Sequence, residues 1–419
     1  MKVGILTNTY PPMKNGVCMA ICGLEKSLKS KGIEVFIATP RLEGIVYPAN
    51  VFAMRCAKVP DKISGDLKLP TGYFKDVKKY FKEKQIDILH SHDTIFGGIE
   101  GDYIAEDLGI PCVHTFHTMI EQYSQFRFPY YHSIIKRGIY EVCNSADHII
   151  APSKKSYNYL LELGIRTPIS QMYNVPYLAT IEFDVPNNDF KNIVNDDDFV
   201  FLSFCRLSPE KNVESGIAIL EPILKYNPRV KYIIAGDGPQ REELEQLCKT
   251  KKIEKQVIFI GKYALENLAN IVKNTNSKAF LFSSESENLP TNMLEAMFLG
   301  LPVLAINDES VDYLLDDGIN GFKKDKKILG QYCQKIINDK NLLQRLSDNA
   351  KETADQFIAQ DIGQKHINLY QTVITSYQGY DKVTKMLLIS RHNPISPFHF
   401  PVKKKFDAFM DYMYKALDF

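Results

Sequence analysis

Short apolar, β-branched runs alternate along the chain with longer stretches whose apolar residues recur at helical spacing. In the first half the runs are KVGILT, EVFIAT, IDILHS, PCVHTF and HIIAPS, with helical patterns such as MAICGLEKSLKSKG between them. Strands separated by helices pair in parallel, and a strand covered on both faces reads as an unbroken apolar run. The pattern therefore predicts βαβ units and a parallel sheet sandwiched by helices. It lapses at DVPNNDFKNIVNDDD, from Asp184 to Asp198, a polar stretch rich in Asn and Asp that suits a linker. A second series then follows: FVFLSF, VKYIIAG, VIFIG, AFLFSS and PVLAI, separated by helical stretches such as VESGIAILEPILKY and REELEQLCKTK. The expectation is an α/β protein with two doubly wound parallel-sheet domains, 1–184 and 199–360, joined by the linker 185–198 and holding a ligand in the crevice between them. Residues 361–419 are expected as C-terminal helices returning to the first domain. Past Tyr377 a loop-like stretch, RHNPISPFHFPVKKKF, leads to a final amphipathic helix with Phe406, Phe409, Met410, Met413 and Leu417 on one stripe.

Composition narrows the function classes. The 419 residues suffice for two cores, and a formal net charge of +1 gives no global sign of nucleic-acid binding. Eight cysteines are scattered with no C-x-x-C pair and no Cys/His cluster at metal-ligand spacing, which suits free thiols in a reducing compartment. The opening MKVGILTNTYPP reads as a first strand rather than a signal peptide, and no apolar run approaches the roughly 20 residues of a membrane span. A cytoplasmic protein, peripheral on the inner face of the membrane if it meets one, is the expectation.

Candidate chemistry gathers at the turns that follow strands. The loop NTYPPMKNGV opens a helix at Gly16, where free backbone N–H groups suit an anion. In SFCRLSPEKNVESG, Arg206 and Lys211 flank a turn after a buried strand; a guanidinium fork and a mobile ammonium suit a diphosphate. Gly236 and Gly238 of IIAGDGPQREE tighten another such turn, and FIGKY ends a strand ahead of Lys262. The stretch SESENLPTNMLEAMFLGLPVLA sets Glu287 and Glu295 eight residues apart across a helix start, with Pro290 as its first residue and Gly300 as its stop. Both carboxylates can accept hydroxyl hydrogen bonds from one elongated ligand whose phosphates meet the helix N-terminus, as a nucleotide sugar would. In the first domain ILHSHDTIFGG places His90, His92 and Asp93 at a strand end, and HTFHTMIEQY adds His114, His117 and Glu121. Strand alternation puts His90 and His92 on one face, but no thiolate or carboxylate set completes a metal site, so no metal is expected. His117 is the histidine best placed to meet a substrate; a structural role competes equally with that reading.

Together these residues resemble the retaining glycosyltransferases of family 4, which have the two-domain GT-B fold, from Met1 to roughly Tyr377. The most specific element is the pair Glu287 and Glu295 followed by AMFLGLPVLA; RLSPEK, the GDGP turn and the Gly16 loop match in order. The resemblance implies that Arg206 and Lys211 bind the donor diphosphate, helped by Gly16 and Gly236. It assigns Glu287 to the sugar hydroxyls, Glu295 to the ribose, and Lys262, Asn288, Leu289 and Pro290 to the rest of the donor site. His117 would sit beside the anomeric carbon, with His92 and Glu121 toward the acceptor, and no metal would be needed. Within the family, HSHDTIFG and HTFHTMIEQY look most like enzymes that glucosylate diacylglycerol from UDP-glucose. The expected reaction is therefore transfer of a hexose, glucose first, from a UDP-sugar to a lipid hydroxyl. A cell-surface glycan as acceptor, a nucleotide-sugar epimerase and an inactive scaffold are the alternatives. Phe74, Val77 and Phe81 among Lys75, Lys78, Lys79 and Lys82, the aromatic stretch around Lys136 and Arg137, and the helix after Lys403, Lys404 and Lys405 are candidates for an anionic membrane surface. Departures from the pattern are Cys205 and Asn288 at positions where glycine is usual, and MYNVPY in place of an Asn-Gly turn.

Overall fold

The computed structural model describes residues 1–13, 15–57, 69–70, 74–92, 96–117, 129–180, 190, 193–284 and 287–379. The chain divides into two compact units, Met1–Val175 with the segment from Ile362 onward, and Pro176–Asp361. Half of the expected linker 185–198 lies outside the described residues, as do Asp93, Glu121 and the C-terminal stretch expected to form a basic amphipathic helix.

In the first unit the elements run β1 (Lys2–Leu6), α1 (Gly16–Ser30), β2 (Glu34–Pro40) and β3 (Val51–Met54), then the short strands β4 (Cys56–Ala57) and β5 (Leu69–Pro70). They continue with α2 (Phe74–Lys84), β6 (Ile88–Ser91), α3 (Phe96–Leu108), β7 (Cys112–Thr115), α4 (Pro129–Ser145), β8 (His148–Ala151), α5 (Lys154–Glu162) and β9 (Ile169–Gln171). The main sheet is parallel throughout, in the order β3-β2-β1-β6-β7-β8-β9, while β4 and β5 form a separate antiparallel ribbon. The strand order reverses between β1 and β6, the place where open α/β sheets leave a crevice beyond the strand ends.

The second unit runs β10 (Phe199–Phe204), α6 (Val213–Tyr226), β11 (Val230–Ala235), α7 (Arg241–Lys251), β12 (Val257–Gly261) and α8 (Leu268–Asn274). It continues with β13 (Ser277–Phe282), α9 (Thr291–Phe298), β14 (Val303–Ile306), β15 (Gly321–Lys324), α10 (Lys326–Asn338) and α11 (Lys340–Ile358). Its sheet is parallel, in the order β12-β11-β10-β13-β14-β15, and reverses between β10 and β13. The last helix among the described residues, α12 (Ile362–Ser376), belongs to the first unit. A Cβ added at Gly363 would come 1.9 Å from the Ser27 hydroxyl, so glycine lets α12 lie close against α1.

The apolar runs become the central strands: Val3, Ile5, Ile88 and Leu89 in one sheet, and Phe201, Leu202, Ile233 and Phe280 in the other, are buried. The strands that the alternation left unmarked, β3, β9 and β15, are edge strands of three or four residues. An edge strand is covered on fewer sides and so carries a weaker apolar signature. One expectation is overturned. Val77 and Phe81 of α2 are fully buried in a cluster with Leu6, Leu89 and Ile104, and Ile135 and Ile139 of α4 are core residues too. These apolar stripes face the sheet and are not available to a bilayer. No helix among the described residues is long and apolar enough to cross a membrane.

Candidate active site

The switch point of the second unit carries most of the predicted donor residues. After β10 the chain passes Cys205 and the exposed Arg206, then turns through a 3-10 helix, Pro209–Lys211. Asn212 follows with φ +48°, a left-handed conformation that asparagine tolerates better than most residues, and α6 begins at Val213. After β13, on the other side of the switch point, come Ser283 and Ser284. The two loops are tied together: the Ser283 hydroxyl donates to the Lys211 carbonyl at 3.1 Å and the Ser284 hydroxyl to the Glu210 carbonyl at 2.8 Å. The Ser284 hydroxyl also lies 3.0 Å from Glu287 Oε1. Lys211 Nζ forms an ion pair with the same carboxylate oxygen, and both side chains are mostly shielded from solvent. Burial works against the ammonium charge, but the Glu287 carboxylate outweighs it and holds the lysine above its ordinary range.

Glycine is required next to this loop. A Cβ on Gly236, whose φ is +145°, would fall 1.8 Å from the Cys205 carbonyl oxygen, and one on Gly238 would fall 2.3 Å from that of Leu207. These glycines therefore hold the RLSPEK backbone against the GDGP turn, a structural reason for a pattern that sequence alone leaves as a tight turn. Lys262 is largely exposed and its Nζ stands 3.9 Å from Asp237 of that turn.

Pro290 occupies the cap position of α9 rather than its first helical residue; its carbonyl accepts a 2.8 Å hydrogen bond from the Tyr313 hydroxyl. Asn288 and Leu289 precede it, half-buried. Asn292 of the first turn donates to the Phe204 carbonyl at 3.2 Å, fixing the helix start over the end of β10. Gly300, with φ +76°, follows the C-cap as expected of a helix stop. Glu295, on the second turn, is 9% exposed, and burial pushes its carboxyl up to about 7. The negative charge of Glu295 adds to the burial that raises the nearby Tyr263 phenol. A carboxyl in this state is one small step from ionising and is suited to a polar ligand that supplies hydroxyl donors.

The switch point of the first unit is built from histidine. The His92 N–H donates to the Leu6 carbonyl at 2.9 Å, which seats the residue between the ends of β1 and β6. His92 Nδ1 lies 2.9 Å from His117 Nε2, and the two rings stack with centroids 5.2 Å apart. The His90 ring packs on His92 at 4.0 Å, as their alternation in the strand requires. His90 Nδ1 lies 2.6 Å from the Tyr370 hydroxyl and its Nε2 lies 2.7 Å from Thr115 Oγ1. His366 of α12 completes the group, 6.2 Å from His90 between ring centroids. Burial, reinforced by neighbouring histidines, holds His90 and His92 well below the ordinary imidazole range; His117 falls to about 3 and His114 and His366 to about 4. All five are neutral at physiological pH. Among the described residues no group of three or more His, Cys, Asp or Glu side chains could hold a metal ion.

Gly16 is the first residue of α1, which Asn15 caps by accepting from the Cys18 N–H at 2.9 Å, and none of the described residues lies within 4 Å of a Cβ built there. The sequence reading missed Ser284, which shares the SESEN stretch with Glu287 and could have been found there. It also missed Tyr370 and His366, for which no sequence signal exists because the fold alone brings α12 to the strand ends.

Comparison with known proteins agrees with this architecture. The family Glycosyltransferase Family 4 matches residues 14–175, and the family Glycosyl transferases group 1 matches residues 184–353. The chain is 27% identical over 330 residues to the alpha-monoglucosyldiacylglycerol synthase of Streptococcus pneumoniae, covering 77% of this chain and 74% of that protein. It is 25% identical over 399 residues to the enzyme of the same name from Acholeplasma laidlawii, covering 89% and 98%. Among solved structures, Anabaena HepE in complex with UDP-glucose matches with a TM-score of 0.69 at 20% identity, covering 89% of this chain and all of that one. Sucrose-phosphate synthase from Thermosynechococcus elongatus matches with a TM-score of 0.72 at 16% identity, covering 90% and 99%.

Proposed function

We propose a specific reaction for this chain, which belongs to the GT-B glycosyltransferases that join a family 4 domain to a group 1 domain: transfer of a hexose, glucose first, from a UDP-sugar to the hydroxyl of a membrane lipid such as diacylglycerol, with retention of anomeric configuration. One observation carries the reading. Lys211 and Glu287 are paired across the switch point of the second sheet, with Ser284 bound to the same carboxylate and Arg206 on the same loop. A fixed cation there can neutralise a departing diphosphate, while the carboxylate accepts from sugar hydroxyls. Glu295 is assigned to the ribose hydroxyls, and Gly16, Gly236, Lys262, Asn288, Leu289 and Pro290 to the surrounding donor site. The lysine and the helix start supply the leaving-group charge, so the proposed reaction needs no metal. On the first unit His117 is assigned to the donor sugar and His92 to the acceptor. The named activity of the two alpha-monoglucosyldiacylglycerol synthases supports the lipid acceptor, and the UDP-glucose complex of HepE supports the donor.

Contact with an anionic membrane is proposed through charge rather than through the apolar face of α2: Lys75 and Lys82 are exposed on that helix while Val77 and Phe81 are buried. Incubation of the purified protein with radiolabelled UDP-glucose and vesicles of diacylglycerol in anionic phospholipid should release UDP and place label in the lipid. Label that remains in the nucleotide overturns the reaction, and full activity in Lys211→Ala and Glu287→Gln overturns the site. Label that moves only to an added glycan selects the polysaccharide alternative.

A further inference from the structure

His92 is 6% exposed, and its Nε2 is buried with no hydrogen-bond partner among the described residues. Its Nδ1 is engaged with His117 Nε2, so one of these two nitrogens carries the shared proton. If His117 were the donor, His92 would be left with an orphaned, buried N–H at Nε2. If His92 is the donor, only a lone pair is left over. Buried donors without partners are rarer than buried acceptors without partners, which favours the second arrangement. His90 is fixed by a similar choice. A phenol is a stronger donor than an aliphatic hydroxyl, so Tyr370 donates to Nδ1 and the Nε2–H of His90 points at Thr115. The His90 ring, locked in this way, packs directly on His92.

We infer that the lone pair on His92 Nε2 accepts the O–H of the sugar acceptor, and that Tyr370 of α12 is a positioning residue that holds His92 for this role through His90. This rests on the proposed transfer reaction. It adds that the acceptor hydroxyl is bound as a hydrogen donor by a neutral imidazole, and that a helix distant in sequence sets the geometry. Removing only the phenolic hydroxyl frees the His90 ring to rotate or exchange tautomer, and His92 loses its backing.

Two measurements decide it. In nitrogen-15 histidine spectra of the full-length protein, His92 should show a protonated Nδ1 and an unprotonated Nε2, and His90 the reverse. Tyr370→Phe should alter the His90 and His92 resonances. A protonated His92 Nε2 in the wild type, or unchanged resonances in Tyr370→Phe, overturns the inference. In steady-state transfer from UDP-glucose to diacylglycerol, His92→Phe should raise the acceptor KM about tenfold and Tyr370→Phe about threefold, each with a smaller change in the donor KM. Donor and acceptor KM rising together would mean general structural damage and would sink the positioning role. A wild-type protein that transfers no sugar would defeat the proposed reaction alone, because the spectra need no substrate and still decide the tautomers.

Discussion

The two sheets share one topology and place polar groups at the same point of it, yet they handle the cost of burial in opposite ways. In the second unit charge is kept and compensated: Lys211 and Glu287 meet across the switch point and serines tie the loops together. In the first unit charge is given up: His90, His92, His114, His117 and His366 are all neutral, and the rings of His90, His92, His117 and His366 pack on one another. A fixed cation suits a ligand that arrives charged, such as a diphosphate. A neutral, dry imidazole group suits one that arrives uncharged, such as a lipid hydroxyl. The fold supplies the location, and the residue types select the chemistry.

Acidification separates the two units most strongly. The histidines have folded pKa values below the unfolded value near 6.5, so their stabilisation is complete above that pH and is lost as pH falls. Between pH 7 and pH 5 the loss is about 2 kcal/mol per histidine. Amide protection in β6 and β7, taken against the intrinsic rate at each pH, should therefore fall at pH 5 well before that in β10 and β13; equal protection in both sheets would break the contrast. Next, Gly236→Ala should destabilise the second unit by roughly 4 kcal/mol, combining a backbone clash with strain at positive φ. Urea unfolding followed in that unit checks it, and a loss under 1 kcal/mol would show that the two loops are not held in contact. Lys211→Ala should lower UDP release by about 10²- to 10³-fold, or roughly 3–4 kcal/mol, if the ammonium stabilises the leaving diphosphate.

The smallest effect has the opposite sign from the first. Glu295 has a folded pKa of about 7, above the ordinary value of 4.5. The folded state thus binds the proton more tightly, and the second unit should gain about 2 kcal/mol as pH falls from 7 to 5. Glu295→Gln should abolish that gain in a urea titration at the two pH values.

Much of this was legible in the sequence, for identifiable reasons. The buried central strands announced themselves as apolar runs, and α6 and α7 fell on the stretches read as helical. Glu287 and Lys211 could be singled out because charges at a strand-to-helix turn are conspicuous. Three features were not legible. The edge strands are too short to show a pattern. The apolar stripe of α2 has the same periodicity whether it meets a sheet or a bilayer, and only the burial of Val77 and Phe81 decides the matter. The contact of Tyr370 with His90 spans the whole second unit in sequence, and no local pattern records it.

That contact also bears on how the polypeptide is made. On the ribosome the second unit emerges entirely before α12 does, a delay of roughly tens of seconds at ordinary elongation rates. Throughout that interval the strands around His90 exist without the helix that closes over them. The later segment can thus reach its mature packing first, leaving the earlier one to wait, incomplete, for the nascent chain to supply its final piece.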